Sequence, residues 1–213
     1  MKQLLFALSL LISLPAFAQT DYASSQTAGA VNRKLTQSGG VIEVDEQPGV
    51  GVVWFGDKTF SEGTIEFDVK GKDVLQKSFV GVAFHGQNDT TYDAVYFRPF
   101  NFKATDAVRK SHSVQYISNP KHDWPVLRQQ FPNKYEQAVE PAPDPNDWFH
   151  VRIEVKGKAI SVFVNNSTIP SLIVNKLNDR KSGKIGMWVG HGSGASWRKI
   201  FITERPVAAF AAL

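Results

Sequence analysis

No cysteine occurs anywhere in the 213 residues. That absence excludes disulfides, thiolate metal sites and a cysteine nucleophile, and it leaves no residue for lipid modification at an export cleavage site. An exported domain without disulfides has to rest on a large hydrophobic core, and a chain of this length permits one. The absence also fits a bacterial periplasm or exterior better than an animal secretory route. A charge excess is missing too. The net formal charge is +4, and Lys2 alone supplies one unit of it. Only "DAVRKSH" (106–112) and "NDRKSGK" (178–184) are basic clusters, and neither interleaves aromatics at base-stacking spacing. They read as solvated loops, so nucleic acid is not an expected partner. There is no H-E-x-x-H, no Cys/His cluster, no Gly-rich phosphate loop and no G-x-S-x-G. No repeat of fixed period points to a propeller or solenoid.

Long apolar runs are confined to the start. "MKQLLFALSLLISLPAFAQ" has a lysine near its beginning, an apolar stretch from Leu4 to Leu14, and the small-x-small pattern Ala16-Phe17-Ala18. The stretch is too short to span a bilayer, so residues 1–18 read as a signal peptide cleaved before Gln19. The expectation is an exported protein, periplasmic or secreted. It is not a lipoprotein and keeps no stable membrane anchor after cleavage. Residues 19–40 are polar and low in aromatics and read as a flexible leader, and 206–213 as a tail.

Between these ends, period-two alternation dominates. "VIEVD" (41–45), "VGVVWFG" (50–56), "GTIEFDVKG" (63–71), "FVGVAFHG" (79–86), "YDAVYFRPF" (92–100) and "SHSVQYIS" (111–118) follow one another. An irregular insertion at 119–147 carries six prolines, one candidate helical turn at 124–130, and the aromatics Trp124, Phe131 and Tyr135, which argue that it folds over something. Alternation resumes in a hairpin that turns at Lys156-Gly157-Lys158, then in 172–174, 183–192 and 196–203. About eleven short strands with turn signals between them mean a sandwich or a barrel.

Three strands have unusual outer faces. Val80, Val82 and Phe84 are assigned to the core, as are Val95 and Phe97, and Ile185, Met187 and Val189. That leaves Gly81, Ala83, His85, Tyr92, Ala94, Tyr96, Arg98, Gly186, Trp188 and Gly190 pointing the other way. Glycine inside a strand weakens it unless something approaches the backbone. A floor of small residues edged by rings and hydrogen-bonding groups suits a sugar, whose C–H faces stack on rings and whose hydroxyls need fixed partners. The competing reading is that the 119–147 insertion covers this face and the small residues merely let it pack. The substrate-binding candidates are Tyr96, Arg98, Asn101, Gln115, Trp124 and Trp188. An ion pair of Arg98 with Asp93, Asp106 or Glu136 is the structural alternative for that residue.

The strand order "NDWFHVRIEVKGKAISVFVNN" followed by "GKIGMWVGHGSGASWRKIFIT" resembles the concanavalin A-like lectin/glucanase superfamily. Within it, the chain looks like 3-keto-disaccharide hydrolase domains and laminin-G-like domains. Trp148, Asn165-Asn166, Gly183-Lys184-Ile185-Gly186 and the stretch from Trp197 to Ile202 carry the likeness, which covers roughly 41–203. It implies an all-β, two-sheet antiparallel jelly-roll sandwich. Glucanases of the superfamily carry E-x-D-x-x-E on one strand. Here Glu66 and Asp68 have no third acid, so they read as a solvated strand face. Catalytic candidates are His85, Asp93 and His191, with His112, His122 and Asp123 as further acid–base groups. No cofactor is expected. Asp89 and Asp93 are weak Ca²⁺ candidates, with an Asx turn as the alternative. Three functions stay open: a lectin-like module for oligo- or polysaccharides, a glycan-cleaving hydrolase or lyase, and a structural adhesion domain.

Overall fold

Alternating apolar side chains commit each segment to a strand with one face against a partner sheet. The computed structural model describes residues 20–24 and 29–205, so the signal segment and the tail expected from the sequence lie outside the described residues. In chain order the strands are β1 (Ala30–Val31), β2 (Leu35–Ser38), β3 (Val41–Gln47), β4 (Gly51–Phe60), β5 (Gly63–Lys70), β6 (Val80–Asn88) and β7 (Thr91–Phe97). Then come β8 (Val114–Ser118), β9 (Glu136–Gln137), β10 (Phe149–Lys156), β11 (Ala159–Val164), β12 (Leu172–Asn175), β13 (Gly183–Val189) and β14 (Ser193–Glu204). They form two seven-stranded antiparallel sheets. The front sheet runs β1-β4-β13-β6-β7-β8-β9 and the back sheet β12-β11-β10-β5-β14-β3-β2. This is the jelly-roll sandwich that the alternation and the likeness imply. Short helices α1 (Pro99–Phe102), α2 (Ala107–Ser111) and α3 (Trp124–Gln130) sit between β7 and β9.

The core lies between the sheets. Phe84, Phe97 and Met187 of the front sheet meet Phe67, Phe149, Ile153 and Trp197 of the back sheet, all buried. Glu66 and Asp68 project from the outer face of the back sheet. There Asp68 accepts from Arg198 Nε at 3.1 Å and faces His150 Nδ1 at 3.0 Å. They belong to a charge cluster on that face, with Asp68 buried beneath its partners in place of the solvated position expected, and away from the front sheet.

The supposed leader differs from its expectation. Residues 30–38 pair into both sheets through β1 and β2, and Ala23 is fully buried. Arg33, also buried, donates to the carbonyls of Gly49 and Gly190 at 2.8 Å and of Ser193 at 3.3 Å. Tyr22 N–H reaches Ile200 O at 2.9 Å. Backbone pairing and one guanidinium hold this polar stretch, and neither shows as apolar periodicity.

On the outer face of the front sheet the register lines up a cross-strand row, Val52–Trp188–Gly81–Tyr96–Gln115–Glu136. A neighbouring row, Trp54–Gly186–Ala83–Ala94–Ile117, is small in its middle. The glycines do not lie bare, as a small-residue floor would require. A Cβ on Gly81 would come 2.1 Å from Val95 O and 2.9 Å from Tyr96 Cβ, and one on Gly186 would come 2.1 Å from Val53 O. They permit close strand approach and leave space over which large rings lie. Gly81→Ala is therefore expected to lower stability by about 1–3 kcal/mol, the usual range for overpacking. Urea denaturation measures it, and an unchanged midpoint would contradict the contact.

Candidate functional site

Above those rows lies a groove of about 1080 Å³ on the outer face of the front sheet. Rings form its floor. The Trp188 and Tyr96 centroids are 4.7 Å apart, meeting across Gly81, which offers no side chain to keep them separate. Trp188 Nε1 donates to Tyr92 Oη at 3.1 Å, and Asn119 Nδ2 donates to the same oxygen at 3.1 Å. With both lone pairs engaged, the buried Tyr92 hydroxyl keeps its own proton to donate. Trp54 stands edge-on to Tyr92, centroids 6.3 Å apart, and donates from Nε1 to Asp89 at 2.9 Å. Phe79 and Phe100 pack edge to face at the other end of the floor.

At that end β7 stops, because Pro99 starts α1 in place of a further ladder residue. Arg98 is thereby left at the mouth of the strand. Its guanidinium is buried, lies 4.9 Å from the Tyr96 ring centroid, and donates to Tyr96 Oη at 2.7 Å and His112 O at 2.9 Å. It also donates to Gln115 Oε1. Of its three candidate ion-pair partners it meets Glu136, at 3.7 Å. Glu136 is shared: Arg128 binds it in a fork at 2.7 and 2.8 Å, and His112 Nδ1 stands 2.9 Å away without hydrogen-bond alignment. Burial lowers Arg98, opposed by Tyr96 and Glu136, and raises the Tyr96 phenol, opposed by Arg98 and Arg128. Burial likewise pushes His112 below its ordinary value despite Glu136.

The insertion builds one wall. Asp123 caps α3 by accepting from Val126 N–H, Trp124 is half exposed at its first turn, and Arg128 lies 4.8 Å over the Trp124 ring. The insertion borders the groove and leaves it open.

The structure thus brings Tyr96, Arg98, Asn101, Trp124 and Trp188 to one groove, with Gln115 buried just beneath and His191 exposed on the rim, where Gly49 N–H donates to its Nδ1 at 3.0 Å. His85 and Asp93 do not join them. The ladder slips between Phe84 and Asn88, and His85 takes φ 52°, which breaks the period-two count and turns the ring to the core side. There it stacks on Phe60 and faces Asp93 at 3.2 Å and Ser61 O at 2.8 Å. Asp93, fully buried, also accepts from Tyr116 Oη and Asn178 Nδ2 at 2.6 Å and from Arg180 at 3.1 Å. As catalytic candidates these two are corrected: they form an interior polar staple. Asp89 is on the groove side and Asp93 on the core side, so the two do not converge on a cation. The 88–91 turn is an Asx turn, with Thr90 N–H on Asn88 Oδ1 at 2.9 Å. Tyr92, Phe79, Arg109, Arg128 and Glu136 also belong to the groove region. Tyr92 shares the period-two face of Tyr96 and was legible there; Glu136 was legible as a partner of Arg98, and its fork with Arg128 was not.

Over residues 18–203 the sequence matches the family described as the 3-keto-alpha-glucoside-1,2-lyase-like domain. No curated protein matches it. Among solved structures, the carbohydrate binding module CBM66 from Bacillus subtilis superposes with a TM-score of 0.56 at 14% identity, covering 82% of this chain and 94% of that one. A Bacillus licheniformis beta-glucanase gives 0.53 at 14%, covering 84% and 92%. The VIP36 exoplasmic/lumenal domain, in a form bound to Ca²⁺ and Man3GlcNAc, gives 0.51 at 8%, covering 84% and 86%. At such identities the likeness is one of fold.

The interior staple carries a pH signature. Burial alone would raise the Asp93 carboxyl, but hydrogen bonds from His85 and Tyr116 and the Arg180 charge outweigh it and hold it below the ordinary value. A carboxyl lowered by folding stabilises the fold above its unfolded value, about 3.9, and that contribution is lost as pH falls through the lower folded value. Asp93→Asn should cost about 3–5 kcal/mol at neutral pH, because it leaves Arg180 without its buried counter-charge. It should also flatten the acid limb of stability. Urea titrations at pH 3 to 7 test both, and parallel curves for the two proteins would refute the role.

Proposed function

The chain belongs to the 3-keto-alpha-glucoside-1,2-lyase-like domain family, and from that premise we propose that it recognises a carbohydrate in the aromatic groove of the front sheet. The observation that carries this reading is the floor itself. Two large rings lie side by side with polar groups fixed around them: the Tyr92 hydroxyl, the Arg98 fork and the Asn101 amide. A pyranose has an apolar C–H face and an equatorial ring of hydroxyls, and such a floor offers a surface for the first and donors for the second. The Tyr92 proton has no lone pair within the protein to which the described hydrogen bonds direct it, so a ligand oxygen is its natural acceptor. A role in an exported protein that meets extracellular glycans accords with the N-terminal segment.

A second reading, eliminative cleavage, has its own support in the family's lyase-like description and in His112 on the groove wall beside Glu136. Burial lowers its proton affinity and so favours the neutral imidazole, the form able to take a proton. On a 3-keto glucoside it would remove the C2 proton, acidified by the adjacent ketone. The C2–H electrons would form the C1=C2 bond as the C1–O bond breaks. The leaving oxygen would collect a proton, and the sugar would depart as an unsaturated ketone.

Trp188→Ala is expected to weaken glycan binding by about 1–2 kcal/mol, or roughly tenfold, if it stacks on a sugar ring. A glycan array followed by calorimetry measures it, and affinity unchanged by this substitution and by Tyr96→Ala would move the site elsewhere. For the second reading, His112→Gln should slow formation of an ultraviolet-absorbing unsaturated ketone by at least about a hundredfold while glycan affinity holds. No product from the unsubstituted protein would leave binding as the sole function.

A further inference from the structure

The groove is electrically lopsided along its length. Asp89 lies in the turn between β6 and β7, and Arg98 directly follows the far end of β7. Seven strand residues separate that turn from Arg98, which is about 23 Å at the usual rise per residue. The second groove carboxylate, Asp123, sits at the Asp89 end, because His122 bridges Ser118 and Ser118 pairs with Asp93 near the start of β7. The Arg98 end collects cations. Arg128 reaches it through Glu136, which pairs with Gln115, the cross-strand partner of Tyr96. Arg109 reaches it from α2 through Asn101 Oδ1 at 3.4 Å and Phe100 O at 2.9 Å.

Three guanidiniums therefore stand at one end of the groove against one inner carboxylate, Glu136, which already serves Arg128 in a fork. The other nearby acids are engaged elsewhere. Asp106 caps α2 by accepting from Arg109 N–H, and Glu140 pairs with Lys110 at 2.5 Å. Among the described residues, the Nη1 groups of Arg109 and Arg128 make no hydrogen bond. Each is thus a planar donor with capacity to spare beside the aromatic floor. A carboxylate matches that geometry, since its two oxygens accept parallel N–H bonds from a guanidinium. We propose that the groove takes an acidic saccharide, with a uronic-acid carboxylate held at the Arg98 end by Arg109 and Arg128. This rests on reading the groove as a saccharide site and names the class of sugar it prefers. The ring bearing the carboxylate stacks near Tyr96 and Trp188, and the chain continues towards Tyr92 and Asp89, where neutral hydroxyls suit the remaining acceptors.

The test compares three ligands of equal length by calorimetry on the full mature chain: a uronic-acid oligosaccharide, its methyl ester, and the neutral hexose counterpart. The acid is expected to bind about tenfold more tightly than its ester in 50 mM salt, as charge-assisted hydrogen bonds predict. The advantage should shrink as salt is raised to 0.5 M, because the contacted groups are open to solvent. Arg109→Gln should bring the acid and its ester to within about twofold of each other, and measurable binding of the neutral oligosaccharide by the same variant shows that the groove is intact. Equal, salt-independent binding of acid, ester and neutral sugar would overturn this inference and leave the saccharide reading standing. Binding of none of them, nor of any glycan on an array, would overturn the saccharide reading itself.

Discussion

Trp188 and Tyr96 meet across a residue with no side chain, and the groove follows from that contact. A β-sheet normally spaces its outward side chains evenly, one per strand in each row. Gly81 leaves a gap in the middle of one row, and the rings on either side close over it. The row beside it, small from Gly186 to Ala94, lets Trp188 reach the Tyr92 hydroxyl. Once the rings lie down, the walls provided by α1, α2 and α3 rise above them and a cavity is left. A side chain on Gly81 would press on its neighbours and drive the rings apart, which links a backbone requirement to the shape of the floor.

Polar groups divide between the two faces of the front sheet according to what water can reach. On the core side, Asp93 is fully enclosed and is satisfied by partners from β6, β8 and the 178–180 loop, so that it ties all three to β7. On the groove side, the arginines are only partly satisfied by the protein. Buried polar groups that are fully paired fix a structure, whereas those with spare hydrogen-bonding capacity beside an open cavity are available to a ligand. By that criterion His85 and Asp93 are architecture, while Arg109 and Arg128 keep unpaired donors beside the cavity.

The sandwich was legible because alternation is strict where a strand has one dry face: Ile65, Phe67 and Val69, or Phe149, Val151, Ile153 and Val155, admit no other reading. The edges were less legible. β1 and β2 are short, polar and held by backbone bonds and Arg33, so composition made them look like a leader. Much of the groove could be read from the same period of two, which put Tyr92, Tyr96, Arg98 and Trp188 on one side. What it could not supply was the slip at His85, because a bulge is set by the ladder on both sides and not by the residue itself. Nor could it bring Arg109, Arg128 and Glu136 together, since they lie on two helices and a two-residue strand placed by the connections that follow β7 and β8. The small residues were visible, but their meaning was inverted: they seat the rings, which themselves make the surface.

The order of strands has a consequence for how the molecule comes into being. β13 stands between β4 and β6 in the front sheet, and β14 between β5 and β3 in the back sheet. Both central staves are thus the last to be synthesised, and until they arrive each sheet is two separate ribbons with unsatisfied edges. Closure has to wait for long-range pairing, a slow route to the native state. The two halves of each sheet lock together only when residues 183–204 are in place between them.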